Sequence, residues 1–474
     1  MSERLSPLDA MFLYIERPHV HMATGGLSIY DPSTKPSGTL TRDELKHLVA
    51  CRLHLAPRFR KRVKFVPLGL GRPVWVDDEQ FDLDYHVREV ALPAPGGRRE
   101  LEDLVQRIQS VPLDRDRALW ESYLVQGLSG GRVAILTRTH HSLVDGVGSV
   151  DLVTNMYNLT PVVPNEHPRR WRPASAPSAA RLAVEAAWEQ ATSPVAGVWR
   201  LGRALRGSPR RVSETVADTL EGIATYLRDN PAHPMGPFNR PVGLGRRFSF
   251  CEVPLDDAKR IKSALGGSVN DVILATLTGG LRQFLRARHF DVHGLELRAM
   301  IPVNVRETGV RGEGNFVSAF FVDLPAGEAS AKTRLRLVSA RTRRLKESHE
   351  VLAGEAFLGA SAYLAPPIGA AAGHLLASQD FAHLVVSNIP GPSLDLYLCG
   401  ARHLATYPVM PIPEHVGLSV AIVTLGGVMG FGFTGDRESL PDIDALADDV
   451  REAFDSLRHA AHLESRTGAG ALVS

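Results

Sequence analysis

The run of residues 132–141 constrains this chain more than any other. It reads as a strand with Val133 and Ile135 on one face and Ala134 and Leu136 on the other. A strand that is apolar on both faces belongs in a sheet covered on both sides. The strand leads into Thr139-His140-His141-Ser142-Leu143-Val144-Asp145-Gly146, with a helix expected to start near Gly148. Successive strand side chains point opposite ways. His140 therefore shares a face with Arg138 and Leu136, and His141 shares one with Val133 and Ile135. Two imidazoles so arranged cannot do the same job. A neutral histidine at a strand end suits general-base work, because its ordinary pKa lies near operating pH. The bland alternative is a pair of satisfied core or surface histidines. A metal held by His141 and Asp145 would need a further ligand that the sequence does not supply, so no metal is expected.

Around this feature the chain divides into three parts. Residues 1–160 mix strand and helix patterns, among them a helix opened by the Thr41/Glu44 capping box and a second over 101–111. Residues 161–245 are bounded by prolines and carry helical stretches. From 169 to 211 there are nine Arg against Glu185 and Glu189, together with Trp171, Trp188 and Trp199. Residues 246–474 return to mixed α/β patterning. Strands are expected near 247–253, 297–303 and 385–388, a hairpin over 416–435, and helices over 270–288 and 442–462. The tail from Ser465 is small and polar enough to be disordered.

Several functions are disfavoured. The 474 residues carry 54 Lys and Arg against 52 Asp and Glu, so no overall field draws the chain to nucleic acid. Cys51, Cys251 and Cys399 lie too far apart for a disulfide framework or a CxxC metal site, and the opening residues lack a secretory apolar core. The uncharged stretches 356–379 and 416–435 read as buried interior. No GxSxG elbow or Walker A run is present, and Gly430-Phe431-Gly432-Phe433-Thr434-Gly435 falls inside the expected hairpin, where no nucleotide-binding helix follows.

HHxxxDG is the signature of acyltransferases with the chloramphenicol-acetyltransferase-like fold, and further motifs narrow the resemblance. Leu5-Ser6-Pro7-Leu8-Asp9, Pro112-Leu113-Asp114-Arg115, Leu119-Trp120-Glu121, Val269-Asn270-Asp271-Val272, Pro302-Val303-Asn304-Val305-Arg306, Gly314-Asn315 and Ser387-Asn388-Ile389-Pro390-Gly391-Pro392 occur in order. Ala118 stands where the usual PLWE segment has proline. Together they resemble the bacterial wax ester synthase/diacylglycerol acyltransferase family, over about residues 5–460.

That resemblance implies an α/β fold of two similar lobes with the site in a tunnel between them. Residues 1–160 and 246–474 would be the lobes, and 161–245 the helical crossover. It implies acyl transfer from acyl-CoA, as co-substrate and with no bound cofactor, to diacylglycerol or a long-chain alcohol. His141 would be the proton acceptor, supported by His140, Asp145 and Gly146. Asn270 and Asn388 are candidates for oxyanion contacts, although Asn270-Asp271 also reads as a helix cap. Arg306 is a candidate for CoA phosphate or for a structural ion pair. The basic run 332–346 reads as a solvated helix face, with CoA attraction as the lesser reading. A cytoplasmic enzyme resting on a membrane or lipid droplet is expected, with the 169–211 segment the candidate contact. The competing functions are esterification of a non-glyceride hydroxyl, amide formation of the condensation type, and non-catalytic lipid binding on the same fold.

Overall fold

The computed structural model describes residues 2–143, 155–189, 235–304, 317–347 and 382–470. Two six-stranded mixed sheets dominate. The first takes in β2 (Ala23–Asp31), β5 (Val87–Ala91), β6 (Trp120–Gln126), β7 (Val133–His140), β12 (Tyr397–Leu398) and β13 (Ala401–Val409), in the spatial order β12-β13-β2-β7-β6-β5. The second contains β8 (Arg246–Pro254), β9 (Leu297–Asn304), β10 (Val317–Leu324), β11 (Leu384–Pro390), β14 (Leu418–Leu425) and β15 (Val428–Asp436), ordered β10-β9-β11-β14-β15-β8. A small sheet joins β1 (Glu3–Arg4), β3 (Lys61–Lys64) and β4 (Val74–Asp77).

The strand pattern of 132–141 is realised as β7, with a separate hydrophobic core on each face. Val133 and Ile135 pack with Ala10, Leu13, Leu45 and Trp120. Ala134 and Leu136 pack with Leu101, Leu104 and Val105 of the helix Arg98–Gln109. In the second sheet, the helices Val269–Ala287 and Ile443–Gly470 cover the face carrying Val420, Ile422, Phe431 and Phe433. The last helix runs to Gly470, past the point where small polar residues predict disorder. The Thr41/Glu44 capping box forms as expected. The 416–435 stretch is the β14–β15 hairpin, turned at Gly426 and Gly427, both with positive φ as a type I′ turn demands.

Chain order and sheet membership part company at one place. Residues 397–409 lie in the C-terminal portion of the sequence, yet β13 pairs antiparallel with β2 over Arg402↔Asp31 to Val409↔Gly25. A single boundary at 246 therefore does not separate the sheets. The edge of β13 turned away from β2 lies against the face of β15. A Cβ on Gly430 would sit 2.0 Å from Thr406 O, and one on Gly432 would sit 1.8 Å from Pro408 O. Phe431 and Phe433 alternate with these glycines and point into the opposite core. The GxGxxG run is thus a packing device in which glycine permits backbone to approach backbone.

Polar contacts complete the seam. Arg98 bridges to Asp448 (2.9 Å) and donates to Ser249 Oγ (2.9 Å), which donates to Glu102 (2.7 Å). Tyr407 OH donates to Glu252 at 2.6 Å.

In the crossover region, a helix over 179–189 is anchored by Leu182 and Ala186, with Leu182 packed on Val74 and Val76 of the small sheet. Its Val184 and Trp188 are both 68% exposed. The basic run 332–346 lies in the helix Ala331–Glu347, but it is not simply a solvated face. Arg334 is buried and donates to the carbonyls of Ala275 and Glu328, while Arg341 pairs with Glu296.

Gly432→Ala should destabilise the protein by about 1–3 kcal/mol, the usual cost of overpacking, because the atom it meets is backbone and cannot rotate away. Chemical denaturation checks this, and stability equal to the parent's would show that the seam can open.

Candidate active site

Helix Pro7–Tyr14 starts within the Leu5-Ser6-Pro7 motif. Ser6 accepts the Asp9 N–H at the N-cap, and Pro7 occupies the first turn, where its missing N–H costs nothing. Arg115 donates to Leu13 O (3.0 Å) at the other end. The helix presents Phe12 to His141, with ring centroids 4.1 Å apart. The His141 N–H donates to Met22 O at 2.8 Å, extending the β2–β7 pairing by one residue.

His140 and His141 have different surroundings, as their alternation predicts. His140 is buried. Its Nδ1 accepts the Ser142 N–H (3.1 Å), with Ser142 Oγ at 2.7 Å, which leaves the ring proton on Nε2. That nitrogen faces Glu16 Oε1 at 3.2 Å. His141 is half-buried at its surface, but its Nδ1 is enclosed and has no hydrogen-bond partner among the described residues. Burial lowers its pKa to about 4, and His140 beside it adds to the effect. His141 is therefore held neutral at neutral pH.

Glu16 is the residue that sequence reasoning passed over. Its Oε1 accepts the Met22 N–H (2.6 Å), and its Oε2 accepts Arg115 (2.5 Å). One carboxylate thus ties the Met22 backbone, and through it the His141 backbone, to His140 and to the arginine of the PLDR motif. Burial alone would raise the Glu16 pKa, but His140, the Met22 N–H and Arg115 outweigh it and hold the group at about 2. Only the position of Glu16 just after the first helix could have flagged it. Glu121 of the LWE segment plays a comparable part on the next strand, accepting from buried Arg138 (3.0 Å) and from Tyr123 OH (2.9 Å).

The two candidate asparagines meet. Asn388 on β11 donates to Asn270 Oδ1 at 3.1 Å. Asp271 is the capping-box acid of helix Val269–Ala287, exchanging bonds with Ser268 and accepting from Ser339 (3.0 Å) and Thr342 (2.6 Å). Of the Asn270-Asp271 pair, Asp271 carries the capping reading, as the acid of the box closed with Ser268. Among the described residues no hydrogen bond joins this pair to His141. Asp145, Gly146 and Arg306 lie outside the described residues.

The wax ester synthase/diacylglycerol acyltransferase catalytic domain matches residues 5–273, and the C-terminal domain of the same proteins matches 313–458. The chain belongs to the wax ester synthase/diacylglycerol acyltransferase family. A putative diacylglycerol O-acyltransferase of Mycobacterium tuberculosis is 32% identical over 469 residues, covering 96% of this chain and 90% of that one. A second from that organism, named a probable diacylglycerol O-acyltransferase, is 33% identical over 466 residues, covering 96% and 99%. Among solved structures, the wax ester synthase/diacylglycerol acyltransferase of Marinobacter aquaeolei VT8 is similar with a TM-score of 0.69 and 26% identity, over 97% of this chain and 100% of that one. The first condensation domain of the CDA synthetase shares the fold, with a TM-score of 0.58 and 16% identity over 96% of each chain. The chain is an acyltransferase of the chloramphenicol-acetyltransferase-like fold.

Glu16→Gln should lower both the melting temperature at neutral pH and the rate of acyl transfer. The folded pKa of Glu16 is depressed from 4.5 to about 2, so its stabilisation is complete above the unfolded value and lost as pH falls through that window. The gap between parent and variant should shrink accordingly in thermal melts. A gap that stays constant as pH is lowered would show that the carboxylate charge is not what matters.

Proposed function

We propose that the protein transfers a long-chain acyl group from acyl-CoA to the hydroxyl of diacylglycerol, forming triacylglycerol, and also accepts fatty alcohols to give wax esters. The observation that carries this reading is the neutral, partly open His141 beside a braced and buried His140, in a chain whose relatives are named diacylglycerol O-acyltransferases. An alcohol is a poor nucleophile until its proton has a destination. With Nδ1 enclosed, Nε2 is the His141 nitrogen that can meet substrate. It takes the hydroxyl proton as oxygen attacks the thioester carbonyl. The tetrahedral oxyanion collapses, the C–S bond breaks, and the His141 proton passes to the departing CoA sulfur. Asn270, whose side-chain carbonyl is occupied by Asn388, has its NH₂ left to donate to an oxyanion.

His141→Ala should reduce turnover by about 10²–10⁴ while the protein stays folded. In the parent, kcat/KM should hold as pH falls below the ordinary histidine range and decline only near the depressed pKa of about 4, because the base stays neutral until then. Acyl-CoA consumption with diacylglycerol, with hexadecanol and with neither tests the reaction itself. Turnover in His141→Ala equal to the parent's would remove the base, and consumption with neither alcohol would remove the acceptor class.

The acceptor is insoluble in water, so the enzyme must meet a lipid surface. Among the described residues no helix is long and apolar enough to cross a membrane. The exposed Val184 and Trp188, on a helix whose other side is anchored, suit insertion into a headgroup layer. Arg169, Arg170, Arg172 and Arg181 add positive charge nearby in sequence. Flotation with anionic liposomes should fall when Val184 and Trp188 are both changed to Glu. Undiminished flotation of a folded double variant would place lipid contact elsewhere.

A further inference from the structure

Phe12 donates and accepts nothing in the transfer step, yet among the described residues it is the aromatic ring stacked on His141. The centroids are 4.1 Å apart and the planes are inclined by 30°. Contact this close and this nearly parallel sets the face of the benzene ring, not its edge, against the imidazole. Both rings hang from fixed backbone. The Phe12 helix is capped by Ser6 at one end, and at the other Arg115 donates to the carbonyl of Leu13, the next residue. Asp9, Ala10 and Leu13 of that helix are buried. His141 is tied through its N–H to Met22 O.

The charges around the pair give this contact a use. Glu16 follows the helix and serves His140, Met22 and Arg115. Asp9 lies one turn before Phe12 on the same helix. Of these titratable neighbours and His140 on β7, it is His140 that acts on the His141 ring, and it opposes a positive charge there. The enclosed His141 Nδ1 receives no carboxylate among the described residues. The face of a benzene ring carries the negative side of its quadrupole and attracts a cation within about 6 Å of the centroid. It offers far less to a neutral imidazole. An attraction of this kind grows as a proton arrives, and only interactions that strengthen toward the transition state raise the rate.

We propose that Phe12 is a positioning residue for His141, and that its ring face stabilises the imidazolium formed during transfer. The proposal rests on His141 being the base. The hydroxyl proton moves to Nε2 as the C–O bond forms, and the ring stays charged until the C–S bond breaks and the sulfur takes that proton. Over that interval Phe12 supplies the attraction that an aspartate supplies to the histidine of a Ser-His-Asp triad. An aliphatic side chain would fill the same space without it.

The test replaces Phe12 by monofluoro-, difluoro- and pentafluorophenylalanine, which keep the shape of the ring while draining negative potential from its face. kcat should fall stepwise along the series, to roughly 2- to 30-fold below the parent with the pentafluoro ring. KM for acyl-CoA and for diacylglycerol should hold. The acid limb of kcat/KM should move to lower pH, because a face that no longer favours the imidazolium lowers the pKa of the base. Phe12→Tyr should keep most of the parent's kcat, and Phe12→Leu should lose as much as the pentafluoro form. A folded pentafluoro enzyme with the parent's kcat would overturn the proposal. So would a loss carried wholly by KM, which would make Phe12 a substrate contact. If one variant does not fold, the remaining members of the series decide. Parental turnover in His141→Ala would instead remove the base itself, and the proposed mechanism with it.

Discussion

The close passage of β13 over β15 is the contact on which the rest of the molecule depends. β13 is hydrogen-bonded into the sheet that carries His140 and His141, while its other edge rests on Gly430 and Gly432 of the second sheet. Two sheets that met only through side chains could slide on one another. Here backbone meets backbone with no room for a Cβ, which locks the spacing between the layers. The Phe431 and Phe433 side chains that alternate with those glycines anchor β15 from behind, in the core beneath helices Val269–Ala287 and Ile443–Gly470.

Within that frame the site is held by a carboxylate. A buried anion collecting several donors fixes the backbone beside the two histidines more firmly than a single neutral bond does. Glu16 gathers Met22, Arg115 and His140, and its ionised form is stabilised by the same three. His141 receives no carboxylate of this kind among the described residues. The two rings therefore differ, with His140 held by Ser142 and Glu16 and the His141 Nδ1 without a partner among the described residues.

Much of this was legible in the sequence. Alternation through 132–141 placed the two histidines on opposite faces, and the capping signals at Thr41/Glu44 and at Asn270-Asp271 fall at real helix starts, although the N-cap of the second is Ser268. Hydrophobic period and cap chemistry are local properties, so a single sequence can carry them. The crossing of β13 into the first sheet was not legible, because strand partners separated by hundreds of residues leave no local trace. The role of Glu16 was hidden for the same reason: its three partners lie at positions 22, 115 and 140. The glycine run in β15 was read correctly as part of a hairpin, but what requires the glycines is the strand beneath them, which only the fold reveals. The basic helix Ala331–Glu347 shows the limit of composition, since the buried Arg334 donates to backbone carbonyls and not to solvent.

β13 serves both sheets. Thr406 turns its carbonyl toward Gly430 and its hydroxyl toward Ser28 and His403. The residue that helps set the spacing of the layers is thus also hydrogen-bonded to Ser28 and His403. A shift of β13 forced by a side chain at Gly430 would move the Thr406 hydroxyl together with its carbonyl, because both hang from one backbone unit. Close packing transmits such strain and does not absorb it. The separation of the sheets and the position of the Thr406 hydroxyl beside Ser28 and His403 are consequently one geometric property.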